Sequence, residues 1–324
     1  MKKKNNKTRI NHGLLTAYKP DPRSPILKYI CAIIFLMFLL ISCTRQPFQH
    51  DKILIAVSIP PQAWFVSQIA GDKAQTLVLV PPGQNPHNYE PTPRQIQSLS
   101  GADAWILSGS EFEIILRPKI ESLFPDLLIV DGTQGVNFRL LEDHDHYNES
   151  NEDTSFPVSH SSFEIDRHTW LGYQNAIILA NHILQTFLLF DKANEEYYIN
   201  RFADIYQEIS LVFIKLKNDL APLNGKSIFV YHPSFGYFFD QFGIVQEAVE
   251  TGGKEPTPRQ LNDLILKMTE EKPAAIFVQA QFPVNAARTI ADAAGVQVIE
   301  LDPLAENWLE NIIYMGQTLE KLIQ

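Results

Sequence analysis

From residue 52 onward, short apolar runs alternate with longer stretches in which apolar positions recur every three or four residues. Runs at 52–58, 75–80, 104–107 and 127–130 read as buried strands, and helical patterns open at Pro60, Pro93 and about Glu111. The alternation resumes with strands at 227–231, 245–249, 275–279 and 296–300. Helices are expected there at 235–242, from Pro258, at 284–294 and from about Ala305. Strands separated by helices at this spacing predict α/β architecture with parallel sheets covered on both faces. Between the two blocks, 171–190 and 192–220 contain no proline and, after Gly172, no glycine, which predicts two helices. The second, at about 1.5 Å per residue, is long enough to cross a whole domain. We read it as a rigid rod joining two lobes.

A repeat supports two lobes of one kind. Glu90-Pro91-Thr92-Pro93-Arg94-Gln95 recurs as Glu255-Pro256-Thr257-Pro258-Arg259-Gln260. In each copy Thr is placed to cap a helix with Pro at its first position. The boundaries expected are an N-terminal α/β lobe over 51–170, a helical segment over 171–225 and a C-terminal α/β lobe over 226–324. The alternation breaks once, at 142–162. This stretch is polar and acidic and holds His144, His146 and His160. It is either a solvated loop or an auxiliary loop that captures cations.

Charge separates the first 42 residues from the rest. They hold eight Lys/Arg and one acid, leaving 19 basic against 36 acidic residues in the remainder. An acidic body argues against nucleic acid as a partner and favours cations or plain solubility. Residues 29–41 form an apolar run of 13 behind the basic segment, too short to span a bilayer comfortably. It reads as the core of an export signal over 1–42. Leu40-Ile41-Ser42-Cys43 resembles a bacterial lipoprotein signal, with Cys43 as the acylated residue; an uncleaved anchor is the competing reading. Cys31 lies inside the run, so a chain starting at Cys43 has no disulfide.

Four side chains sit where α/β sheets usually bind ligands, at the carboxyl ends of strands or where the chain changes lobe. His87 lies in a loop that Gly83 and four prolines stiffen, and His168 lies where the chain leaves the first lobe. His232 and Asp302 each directly follow a predicted strand. Separations of 81, 64 and 70 residues exclude a local zinc finger and require a site built between folded lobes. Each residue also has an ordinary use, Asp302 as a helix cap and the histidines as hydrogen-bonded loop residues. His182 falls inside a helix and is expected to pack or face solvent.

From about residue 51 to the end, the sequence resembles the metal-binding solute-binding proteins of bacterial ABC importers for zinc and manganese. The matching stretches are Gly83 to Pro93, Asp166 to Leu171, His232 with Phe235-Gly236-Tyr237-Phe238, and Gln297 to Leu304. The resemblance implies two α/β lobes joined by one long helix, with the metal in the cleft. It implies His87, His168, His232 and Asp302 as ligands, no catalysis, and a monomeric lipoprotein at a bacterial membrane, periplasmic or at the surface, serving an ABC permease. Manganese-type members typically carry a carboxylate at the third position. Here it is His232, and three imidazoles suit Zn²⁺ better than Mn²⁺. Manganese or iron uptake, and a zinc hydrolase or lyase, are the alternatives. Two features depart from the family pattern: Arg167 stands in place of a common proline, and Gly172-Tyr173 in place of Ser-Pro. A cation at 167 opposes the metal's charge unless it points away or pairs with Asp166. Gln279 stands where an acidic residue is common.

Overall fold

The computed structural model describes residues 52–141, 165–250, 257–282 and 284–323. The export signal, Cys43, the acidic loop with His144, His146 and His160, and Glu255-Pro256 of the repeat lie outside them. In the first lobe β1 (Ile53–Val57), β2 (Ala74–Val78), β3 (Ala104–Leu107) and β4 (Leu128–Asp131) alternate with α1 (Pro60–Ala70), α2 (Pro93–Ser98) and α3 (Glu111–Leu123). Two helices follow, α4 (Tyr173–Phe190) and α5 (Glu195–Asp219). The second lobe runs β5 (Ser227–Val230), α6 (Gly236–Asp240), β6 (Val245–Ala248), α7 (Pro258–Glu271), β7 (Ala275–Gln279), α8 (Val284–Ala294), β8 (Gln297–Leu301) and α9 (Trp308–Glu320).

The sheets are ordered β2-β1-β3-β4 and β6-β5-β7-β8, and every strand pair is parallel. The same order in both lobes is the architectural counterpart of the repeated hexapeptide. The repeat also has one local function. Gln95 N–H donates to Thr92 Oγ1 at 3.3 Å while Thr92 N–H donates to Gln95 Oε1 at 2.9 Å. Thr257 and Gln260 make the same pair at 3.3 and 2.9 Å. These are reciprocal capping boxes that satisfy otherwise unpaired amides at the helix start.

The long helix is present but starts at Glu195, three residues later than expected. Lys192–Asn194 forms a 3-10 turn, and Asp191 accepts hydrogen bonds from Asn194 Nδ2 and Tyr198 Oη at 2.7 Å each. Its 25 residues extend about 37 Å. The last helix begins at Trp308 rather than near Ala305, because residues 302–307 form turns that carry Asp302.

Aromatic rings join the lobes. Trp308 of α9 lies 5.5 Å from Trp64 and 4.9 Å from Phe65, both on α1, and 6.4 Å from Phe213 of α5. Phe213 in turn stacks on Phe242 behind α6 at 6.2 Å. Each such ring buries on the order of 150–250 Å², roughly 4–6 kcal/mol of gross transfer free energy. An exposed ion pair such as Arg117–Glu121 contributes about 0–1 kcal/mol. The rings therefore supply much of the apolar cohesion between lobes.

Candidate metal centre

His87, His168 and His232 converge in the cleft, with Nε2 atoms 3.2 Å apart (His87–His168), 3.0 Å (His87–His232) and 3.3 Å (His168–His232). Each is delivered by a different local device. His87 sits in the 3-10 turn Pro86–Asn88, where Asn85 Oδ1 accepts its amide N–H at 3.0 Å. Gly83, at φ 79°, reverses the chain just before, a conformation that favours glycine. His168 precedes the turn Thr169–Leu171 and is held by Asp166, whose Oδ1 accepts its amide N–H at 2.9 Å. His232 follows β5, at the point where the strand order of the second sheet reverses between β5 and β7. Open α/β sheets bind ligands at such switch points. Gln279, fully buried at the end of β7, accepts the His232 amide N–H at 3.3 Å and donates to the His232 carbonyl and to Ser234 Oγ.

Each ring's other nitrogen faces a carboxylate. His87 Nδ1 lies 2.9 Å from Glu111 Oε2, His168 Nδ1 2.8 Å from Asp166 Oδ1, and His232 Nδ1 2.8 Å from Glu250 Oε2. A carboxylate only accepts, so each neutral ring carries its hydrogen on Nδ1 and turns the Nε2 lone pair inward. This is the arrangement that orients metal-binding imidazoles. None of the three had this role in the sequence reading, where Asp166 entered only as a possible partner of Arg167. Glu111 and Glu250 fall at the start of α3 and just after β6, strand-end positions of the same kind as those that pointed to His87 and His232.

Electrostatics differ among the rings. Burial works against a charge on His87, but the Glu111 hydrogen bond and charge prevail and raise its pKa. Burial likewise opposes the charge on Glu111, and His87 nevertheless holds its pKa down. Burial dominates at His232 and pushes its pKa down to about 4, with the Glu250 hydrogen bond opposing. Asp166 is also buried, yet His168 and Arg139 keep its pKa low.

Arg167 turns its charge toward Glu111. It does not pair with Asp166, which is occupied by His168 and by Arg139 Nη1 at 3.0 Å. Arg167 instead donates to the Gly109 carbonyl at 3.0 Å and lies 3.5 Å from Glu111 Oε1. Its charge is thus offset by the carboxylate behind His87. Asp302 is not brought into the cluster: among the described residues the convergent metal-ligand groups are the three histidines. Its Oδ1 accepts from Gln281 Nε2 at 2.7 Å and from the Leu304 amide at 2.9 Å. His182 lies elsewhere, 2.8 Å from the Gln134 carbonyl.

The triangle fits a metal. With zinc–nitrogen distances of about 2.0–2.1 Å, the edge of a tetrahedron is about 3.3 Å, close to the observed spacing. The pocket around the rings is also lined by Glu111, Gln279, Gln281 and Phe282.

Two lobes joined by one long helix, with convergent imidazoles between them, match the solute-binding proteins of ABC importers, a class of binding proteins and not of enzymes. The chain belongs to the ZnuA family, zinc-uptake complex component A, periplasmic, whose model matches residues 55–322. A crystal structure of ZnuA is similar at TM-score 0.75 and 30% identity, covering 85% of this chain and 100% of that one. The zinc-binding lipoprotein AdcA of Streptococcus pneumoniae is 24% identical over 293 residues, covering 87% of this chain. The chain spans 55% of AdcA's length. The manganese ABC transporter substrate-binding lipoprotein PsaA of Streptococcus pneumoniae is 25% identical over 314 residues, with 92% of this chain and 98% of PsaA covered.

Proposed function

We infer that the protein captures Zn²⁺ outside the inner membrane and delivers it to an ABC permease, held at a membrane through a lipid on Cys43. The observation that carries this reading is the triangle of Nε2 atoms at 3.0–3.3 Å, each ring backed by a carboxylate on Nδ1. His87, His168 and His232 hold the ion, in a pocket that Gln281 also lines. The three carboxylates behind the rings offset the ion's charge without ligating it.

The same triangle is also one face of an octahedral site, so the choice of metal rests on donor chemistry and not on spacing. Manganese prefers oxygen donors, and Glu111, Asp166 and Glu250 are committed to the imidazoles. An imidazole-dominated set favours zinc over manganese or iron. The test is competitive metal titration of wild type and His87→Ala: one zinc per chain, resistant to manganese and lost in the variant, supports the reading. Preferential manganese binding by wild type contradicts it.

A further inference from the structure

Gln281 lies two residues past β7, next to Phe282, whose ring stacks on His232 at 4.5 Å. The sense of its side-chain amide is fixed by chemistry. Nε2 donates to Asp302 Oδ1 at 2.7 Å, and because a carboxylate oxygen only accepts, the carbonyl end must point the other way. That atom, Gln281 Oε1, is buried and has no hydrogen-bond partner, and it is the single such side-chain nitrogen or oxygen among the described residues. Native proteins rarely leave a buried amide oxygen unpaired. Gln281 lines the same pocket as His87, His168 and His232. Neutral rings with their hydrogens on Nδ1 present only lone pairs there, so they give Oε1 nothing to accept. A cation held by the three rings in that pocket is the partner of the right charge for an unpaired amide oxygen lining it.

We propose that Gln281 Oε1 is the fourth contact of the metal, completing a set of three nitrogens and one oxygen, and that Asp302 is a positioning residue that holds the amide in place. This rests on the reading that the three histidines bind metal. It reassigns the position that the family resemblance gives to Asp302. Asp302 Oδ1 is anchored by the Leu304 amide and in turn fixes Gln281. A neutral amide oxygen adds no charge at the fourth position, which keeps the site imidazole-dominated and selective against manganese.

The experiment is a crystal structure of the zinc-loaded protein together with zinc and manganese titrations of wild type, Gln281→Met and Gln281→Glu. The expected structure places Gln281 Oε1 about 2.0–2.2 Å from zinc. Gln281→Met keeps the shape, removes the oxygen, and should weaken zinc binding roughly ten- to hundredfold, the range for an altered metal environment. Gln281→Glu should retain tight zinc and gain manganese affinity, and it decides the matter should the methionine variant not fold. An Asp302 carboxylate or a water in the fourth position, or zinc and manganese affinities unchanged in the variants, would overturn the proposal while leaving the three-histidine site standing. Wild type that holds no metal would overturn both.

Discussion

Trp308 donates its indole N–H to the Trp170 carbonyl at 2.8 Å, which ties the C-terminal helix to the segment bearing His168 two residues upstream. Trp170 returns the bond across the same junction, donating from its own indole to the Pro303 carbonyl at 2.8 Å, one residue beyond Asp302. Both indoles are buried. The loops that frame the metal are therefore cross-tied through the same aromatic cluster that packs α9 on α1.

Such a junction opposes wide hinge opening. Hydrogen exchange of the free and zinc-loaded protein should show protection gained mainly in the loops around His87, His168 and His232, with α1, α5 and α9 unchanged. Broad exchange changes across those helices would contradict a fixed junction. Trp308→Phe keeps most of the packing and loses one donor, which should cost about 1–2 kcal/mol in denaturant unfolding, including the carbonyl left unpaired.

The carboxylates behind the rings should matter nearly as much as the rings. Glu250→Gln keeps the shape but no longer holds His232 Nδ1–H as a charged acceptor. Zinc affinity should fall roughly ten- to hundredfold, with one zinc still bound per chain. Isothermal titration measures both quantities, and unchanged affinity would remove Glu250 from the site.

How much of this was legible in the sequence follows from where the information lies. Strand–helix alternation and the repeated Thr-Pro-Arg-Gln gave the two lobes, because buried parallel strands and capped helices leave local patterns. His87 and His232 stood out because imidazole at a strand end is chemically distinctive. Glu111 and Glu250 were hidden in an acidic chain, where a carboxylate is unremarkable until a ring nitrogen is found 2.8–2.9 Å away. The partners of Arg167 and Gln281 are set by folding across loops distant in sequence, and no local pattern records them. Asp302 was placed by its position after a strand; its Oδ1 accepts from Gln281 and Leu304, and it stands outside the histidine cluster.

Proton competition gives a further prediction. A metal must displace any proton on Nε2, and His87, with its raised pKa, is protonated well before His232 as pH falls. His232, lowered to about 4, stays neutral until much lower pH. Zinc affinity should therefore fall about tenfold per pH unit through pH 6, steepening toward pH 4. For the metal-free fold the signs differ. Between about 4 and 6.5 the unfolded chain binds more protons at His232 than the folded one, so that contribution to stability rises with pH. The His87 contribution is present below 6.5 and is lost as pH rises through its raised value. Titrations between pH 7.5 and 4.5 test the first statement. Urea unfolding of wild type and His232→Gln tests the second, and the acid-side slope should diminish in the variant.

Arg139 ties the first lobe to the second. Its Nη1 meets the fully buried Asp166 at 3.0 Å, its Nε meets Asp240 at 3.1 Å, and its amide donates to Tyr237 Oη at 2.9 Å. Gly236 makes room for it, since a Cβ there would fall 1.8 Å from Arg139 Nη1. Arg139→Met leaves the Asp166 charge buried beside His168 without its cation, which should cost about 3 kcal/mol in unfolding free energy. A loss below about 0.5 kcal/mol, within the ordinary range for surface changes, would show that the pair is not structural.

The most direct test of the central claim is the metal content of the purified protein, followed by zinc–manganese competition at pH 7.5. The account predicts one zinc per chain that excess manganese does not displace, and its loss in His87→Ala. Manganese retained in preference to zinc, or zinc still bound tightly without His87, would contradict it.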